Sequence, residues 1–168
     1  MCSSDLVKVD HAFAADGMPW LDERHTIVYR EAAGVAAAAT AAGTLDPGDW
    51  QWRRDITTDT VQLFRYSALT FNGHRIHYDQ RYATEVEGYP GLVVHGPLMA
   101  TWLMNFADGL DGERTLGAFS FRVKAPVFVS ETITLLARAA GGDALELKVA
   151  DSARREIIDA RADLVAAF

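Results

Sequence analysis

Three of the five histidines, His74, His77 and His95, fall within 22 residues, interleaved with Asn72, Arg75 and Asp79. An imidazole titrates near neutral pH, so His77 is a candidate to take a proton from water. Asn72, five residues earlier, offers both a donor and an acceptor and could hold that water or orient the ring. His95-Gly96-Pro97 opens an apolar run, which places the backbone N–H groups of Gly96 and Leu98 at a helix N-terminus. Such groups suit a carbonyl oxygen that gains negative charge, and a glycine there lets a substrate approach the backbone closely. Taken singly, each histidine also reads as structural, with His95 a plain cap and His77 a hydrogen-bonded core residue. A metal is poorly supported: His74 and His77 are spaced like some ligand pairs, but the third ligand would have to be His95 or Asp79 and no known pattern is matched. Nucleophilic catalysis has less support still, because Cys2 is terminal and no Gly-x-Ser-x-Gly turn exists.

These residues need elements to hold them. Thr57 or Thr58 is expected to cap a helix running to about Ser67, with Asp59 in its first turn. The segment 70–91 carries turn chemistry at Asn72-Gly73 and Tyr89-Pro90-Gly91. From Pro97 to Asp108 the chain is apolar on nearly all sides, the pattern of a buried helix. Residues 115–124, 127–138, 144–151 and 156–167 read as strands separated by short turns, hence an antiparallel sheet with the helix as its apolar partner. The fold class is α+β, a sheet wrapped around one central helix. Residues 6–16 and 24–30 alternate around Asp-Gly-Met-Pro and read as a β-hairpin; 31–49 is an Ala/Gly/Pro linker.

Composition narrows the functional classes. The 168 residues are 49% hydrophobic with a net charge of −7, which disfavours disorder, nucleic-acid binding and anionic membranes. No apolar run approaches the roughly 20 residues of a membrane span. One cysteine leaves no disulfide frame, and nothing at the start reads as a secretion signal, so a reducing cytoplasm is expected. The charge is uneven. Residues 51–81 hold five arginines against three aspartates, a surplus of two, which leaves −9 for the rest. An anionic small ligand is therefore compatible with that segment, although surface scatter explains the charge as well.

The stretch Phe64–Leu98, FRYSALTFNGHRIHYDQRYATEVEGYPGLVVHGPL, resembles the MaoC-type acyl-thioester hydratases and dehydratases of the hot-dog fold. It is most similar to the branch holding mesaconyl-C4-CoA (itaconyl-CoA) hydratases and mitochondrial-type 3-hydroxyacyl-thioester dehydratases. The similarity covers about residues 50–168. The broader family carries Asp-x-Asn-Pro-x-His with Asp and His as the catalytic pair, where this chain has Asn72-Gly73-His74-Arg75-Ile76-His77. The resemblance implies that His77 is the catalytic histidine. Asn72 stands where the aspartate would be, and an amide is no base. His77 is then expected to serve as base and later acid, with Asn72 fixing the water and Gly96 N–H receiving the thioester oxygen. His74, Arg75, Tyr78, Asp79, His95 and Leu98 are the expected substrate-binding residues, Arg75 pairing a free acyl carboxylate and Arg53, Arg54 or Arg81 facing CoA phosphates. No cofactor and no metal are expected.

Relatives of this branch resemble a double hot dog. Residues 1–30 are expected to be the hairpin remnant of a first unit, joined abruptly at Met1-Cys2-Ser3-Ser4, as from a truncated reading frame with a non-native start. A homodimer, or a partner hot-dog half, would then complete the protein. The alternative is a non-catalytic thioester-binding or dimerisation module, inactive through the Asn72 change or the missing half.

Overall fold

The computed structural model describes residues 4–30, 44–110 and 112–167. The chain divides into two units, Met1–Ala36 and Ala37–Phe168. Most of the expected linker, residues 31–43, lies outside the described residues.

The first unit is a hairpin of β1 (Ser4–Ala15) and β2 (Met18–Arg30), paired antiparallel. Asp16 and Gly17 form the two-residue loop with φ of 51° and 78°, the left-handed pair that matches the twist of a tight hairpin. The turn is thus shorter than the four residues Asp-Gly-Met-Pro. Met18 and Pro19 already belong to β2, with Pro19 opposite Ala14 where the register shifts. Period-two alternation sorts the side chains. Val7, Val9 and Phe13 share one face with Ile27 and Leu21, while Lys8, Thr26 and the ion pair Asp10–Arg24 share the other.

The second unit is a five-stranded antiparallel sheet in the order β3-β5-β6-β7-β4. Its strands are β3 (Trp52–Thr57), β4 (Arg114–Val123), β5 (Thr132–Ala139), β6 (Ala144–Ala150) and β7 (Glu156–Ala166). Helix α2 (Gly96–Asp108) packs on β4 to β7. Alternate residues Ile133, Leu135 and Ala137, Leu145, Leu147 and Val149, and Ile158, Ala160, Ala162 and Leu164 meet Leu98, Met99, Leu103 and Phe106 in one core. Burying this apolar face gives the second unit its driving force. Charges fall between the inward positions: Lys148 bonds both Glu156 and Asp159, and Arg138 bonds Glu146.

Three expectations need revision. Strand β3 was not anticipated, because its run of Trp52-Arg53-Arg54-Asp55 is exposed at most positions and shows no apolar alternation. The strand expected over 127–138 begins only at Thr132; residues 127–129 instead hydrogen-bond along Leu92–Val94. Helix α1 (Thr60–Leu69) is capped by Asp59, whose carboxylate accepts from Gln62 N–H at 2.7 Å. Thr57 is occupied in β3, bonded to Thr132, and Thr58 is buried. An aspartate also suits the positive end of the helix dipole better than a hydroxyl.

The end of the expected linker is tied down. Thr44 bridges to Arg155, and Leu45 N–H donates to Arg154 O at 2.9 Å.

Candidate active site

The site grows from the end of α1. Asn72 N–H returns to Ser67 O at 2.9 Å, closing the helix through Phe71 in a left-handed conformation, φ 54°. Glycine usually fills that place, and a fully exposed phenylalanine there stores backbone strain. Asn72 Oδ1 then accepts from His74 N–H at 3.0 Å, an Asx turn that starts the loop. Tyr78 Oη donates to Gly73 O at 2.9 Å. Asp79 accepts from Arg75 at 2.7 Å and from Tyr82 N–H at 3.0 Å, and the Arg75 guanidinium lies 4.1 Å from the Tyr82 ring centre. The loop 72–82 is thereby braced on itself by residues expected to bind substrate.

Within it, a short turn at Arg75–His77 buries Ile76 and His77. Val93 is tied to that turn twice: its N–H donates to Ile76 O at 3.0 Å, and its carbonyl accepts from His77 Nδ1 at 2.7 Å. A carbonyl has no proton to give, so Nδ1 carries the hydrogen and Nε2 keeps its lone pair. Burial lowers the His77 pKa below the ordinary histidine value, with the bond to Val93 opposing and nearby His74 assisting. The ring is therefore neutral near pH 7 and presents a basic Nε2. The orienting group is the Val93 carbonyl. Among the described residues no hydrogen bond joins Asn72 to His77; the Asn72 carbonyl is used in its turn and its amide –NH2 is unpartnered.

His95 is fully buried, and its ring stacks on that of His77 with centroids 3.8 Å apart and planes 18° apart. Its Nε2 lies 2.8 Å from Ser67 Oγ, and Tyr66 meets it edge-on at 4.8 Å. Burial, with smaller contributions from His77 and His74, pushes the His95 pKa down to about 4. His74 is exposed and meets His77 at 5.5 Å edge to face.

Gly96 and Leu98 follow at the start of α2. Met99 N–H closes the first turn on His95 O, and the N–H groups of Gly96 and Leu98 have no partner among the described residues. The Leu98 side chain is core; only its backbone is available to a ligand. A Cβ on Gly96 would stand 2.9 Å from Val123 Cγ2, so a side chain here would require Val123 to shift. The structure therefore joins His77, His95 and the open end of α2, while His74, Arg75, Tyr78 and Asp79 form the loop around them. Ser67 was not anticipated as a site residue; a serine inside a helix carries no sequence signal of a histidine partner 28 positions away. Among the described residues no three His, Cys, Asp or Glu side chains converge as a metal would require.

A sheet wrapped around one buried helix, with an imidazole stacked on the residue that precedes that helix, defines a hot-dog protein. The comparisons agree with that class. Residues 2–129 match the family model of hydroxyacyl-thioester dehydratase type 2, and the chain belongs to that family. It is 44% identical over 143 residues to mesaconyl-C(4)-CoA hydratase of Chloroflexus aurantiacus, covering 85% of this chain and 50% of the relative. It is 32% identical over 117 residues to the mitochondrial hydroxyacyl-thioester dehydratase type 2 of Schizosaccharomyces pombe, covering 68% of this chain and 38% of the relative. The chain thus spans half or less of these relatives' length. Among solved structures, a MaoC-like dehydratase from Phytophthora capsici superposes with a TM-score of 0.76 at 16% identity, covering 97% of this chain and 57% of that one. That likeness confirms the hot-dog fold.

Proposed function

We propose that this chain carries the catalytic unit of a hydro-lyase that reversibly adds water to an α,β-unsaturated acyl thioester, with mesaconyl-C4-CoA or a similar enoyl-CoA as substrate. The observation that carries the reading is the Val93 carbonyl on His77 Nδ1, which leaves Nε2 as a base on a ring stacked against His95, the residue that opens α2. His77 Nε2 takes a proton from water, the water oxygen bonds to Cβ, and the Cα–Cβ π electrons move toward the thioester oxygen. The Gly96 N–H and the positive end of α2 receive that charge. His77 then returns its proton to Cα, so water is added with no net change in the enzyme. The unpartnered Asn72 amide is assigned to the water.

Arg75 has a double assignment. Its Nε and Nη2 hold Asp79, while Nη1 has no partner among the described residues and is assigned to a free acyl carboxylate. Replacing Arg75 by Ala should then cost more on mesaconyl-C4-CoA than on crotonyl-CoA; equal losses on both would remove it from substrate selection. Of the arginines considered for CoA phosphates, Arg81 is paired with Glu85 and Arg54 lies 5.7 Å over Phe106. Arg53 remains the better candidate.

A second hot-dog unit, from another copy or from a separate half, completes the assembly in this reading. Support comes from β4, which is an edge strand with Phe121 and Val123 exposed, and an apolar edge invites pairing. Residues 1–30 are read as belonging with such a first unit. A cytoplasmic location is part of the same reading; among the described residues no helix is long and apolar enough to cross a membrane. The test is loss of enoyl-thioester absorbance with mesaconyl-C4-CoA, crotonyl-CoA and an enoyl-acyl-carrier substrate, run alongside size-exclusion chromatography. Turnover of one of them by a paired species supports the reading. Thermal stabilisation by CoA esters without turnover would replace it with a binding module.

A further inference from the structure

We infer that Ser67 is a positioning residue for the base, acting through the buried, stacked ring of His95. The inference rests on the hydro-lyase reading for its consequence in catalysis, but its structural half stands independently.

The hydrogen bond between Ser67 Oγ and His95 Nε2, 2.8 Å, can run in either direction, and in both it engages the buried ring. Ser67 is 5% exposed, and among the described residues His95 is the hydroxyl's only partner. Other hydroxyls on helical turns here bond back to a carbonyl one turn earlier, as Thr70 does to Tyr66 and Thr101 to Pro97; Ser67 does not. His95 Nδ1 is buried with no partner. If His95 Nε2–H donates, the serine proton and the Nδ1 lone pair are left over; if the serine O–H donates, the Nδ1–H and the serine lone pairs are left over. Either direction satisfies one ring nitrogen, and losing the bond would leave both unpaired in a buried site, which is costly. Whichever way it runs, the bond selects one tautomer of His95, because the nitrogen facing Ser67 either carries the proton or accepts one.

The bond and the burial around it do two things for His77. The bond fixes the rotation of the ring lying 3.8 Å from His77, so the base is held in plane by Val93 and against its face by His95. Burial around the bonded ring keeps His95 neutral, since among the described residues Nδ1 has no partner to offset a charge. When His77 becomes an imidazolium during turnover, it then lies against an uncharged aromatic face, which favours a cation, and not against a second positive charge. The depressed pKa of His95 agrees with this arrangement.

The test compares wild type, Ser67→Ala and Ser67→Thr by imidazole nitrogen NMR and by steady-state hydration of an enoyl-CoA. Wild type is expected to show His95 as a single tautomer. Ser67→Ala should show mixed tautomers at His95 with the fold intact, and kcat about tenfold lower at nearly unchanged KM, the size of one lost hydrogen bond in the transition state. Ser67→Thr, which keeps the hydroxyl, should restore both. Mixed tautomers at His95 in wild type, or an unchanged His95 spectrum in Ser67→Ala, would overturn the inference. So would a normal kcat in Ser67→Ala. If wild type turns over no enoyl thioester, the hydro-lyase reading fails and the nitrogen spectra alone decide whether Ser67 sets the tautomer.

Discussion

Gly96→Ala separates the oxyanion assignment from simple packing. The new methyl would meet Val123 Cγ2 at 2.9 Å, about 0.5–1 Å closer than a comfortable carbon contact. Val123 is β-branched and rotates reluctantly, but it is 43% exposed at the end of an edge strand and can yield partly. Overpacking of this kind costs about 1–2 kcal/mol, against which alanine returns about 0.5–1 kcal/mol of helix propensity. The net stability change should be small, within about 1 kcal/mol. Activity should not escape so lightly. The methyl stands next to the N–H assigned to the thioester oxygen, and a misplacement approaching 1 Å costs about 100-fold. The assay is hydration of an enoyl-CoA followed at its absorbance band, with urea denaturation of the same samples. Adding Val123→Ala removes the contact; the double variant should regain stability but not rate if the methyl itself obstructs the oxygen. A Gly96→Ala protein with wild-type kcat would refute the assignment of this N–H.

Two further outcomes follow from the site. His95, and less strongly His77, have folded-state pKa values below those of the unfolded chain, so the unfolded chain binds more protons as pH falls through 6.5. Stability should therefore drop on acidification; for His95, shifted from 6.5 to about 4, the loss between pH 7 and 5 is about 2 kcal/mol. Urea midpoints at the two pH values would show it, and His95→Phe should flatten the difference; a midpoint that rises toward pH 5 contradicts the burial argument. Phe71→Gly should raise stability by about 1 kcal/mol, because it relieves a left-handed φ of 54° and gives up no buried surface. A lower urea midpoint in that variant would show that the exposed ring contributes more than the strain costs.

Much of the fold was legible from spacing. The alternation of β5 to β7 and the all-round apolar run of α2 announce a sheet around a buried helix, because each pattern is a direct image of the face it buries. Strand β3 was not legible, since an edge strand with arginines on view has little to bury. The same limit applies to the site. His77 and the His95-Gly96 pair stand out by residue type, and their resemblance to a known family gives them roles. Their mutual arrangement is a tertiary fact: the 3.8 Å stack joins residues 18 apart, and the orienting group is the Val93 carbonyl, which any residue could have supplied. Ser67 is hidden for the same reason. Tyr78 and Asp79, expected among the substrate-binding residues, brace the loop that carries His77.

The central claim is that His77 Nε2 moves the proton. The most direct measurement is kcat for hydration of an enoyl-CoA by His77→Gln beside wild type, with the folded state of each checked by its urea midpoint. Glutamine fills much of the space of the imidazole but has no basic nitrogen. A loss of at least about 100-fold in kcat with KM little changed is expected. A folded His77→Gln protein that hydrates at close to the wild-type rate would contradict it.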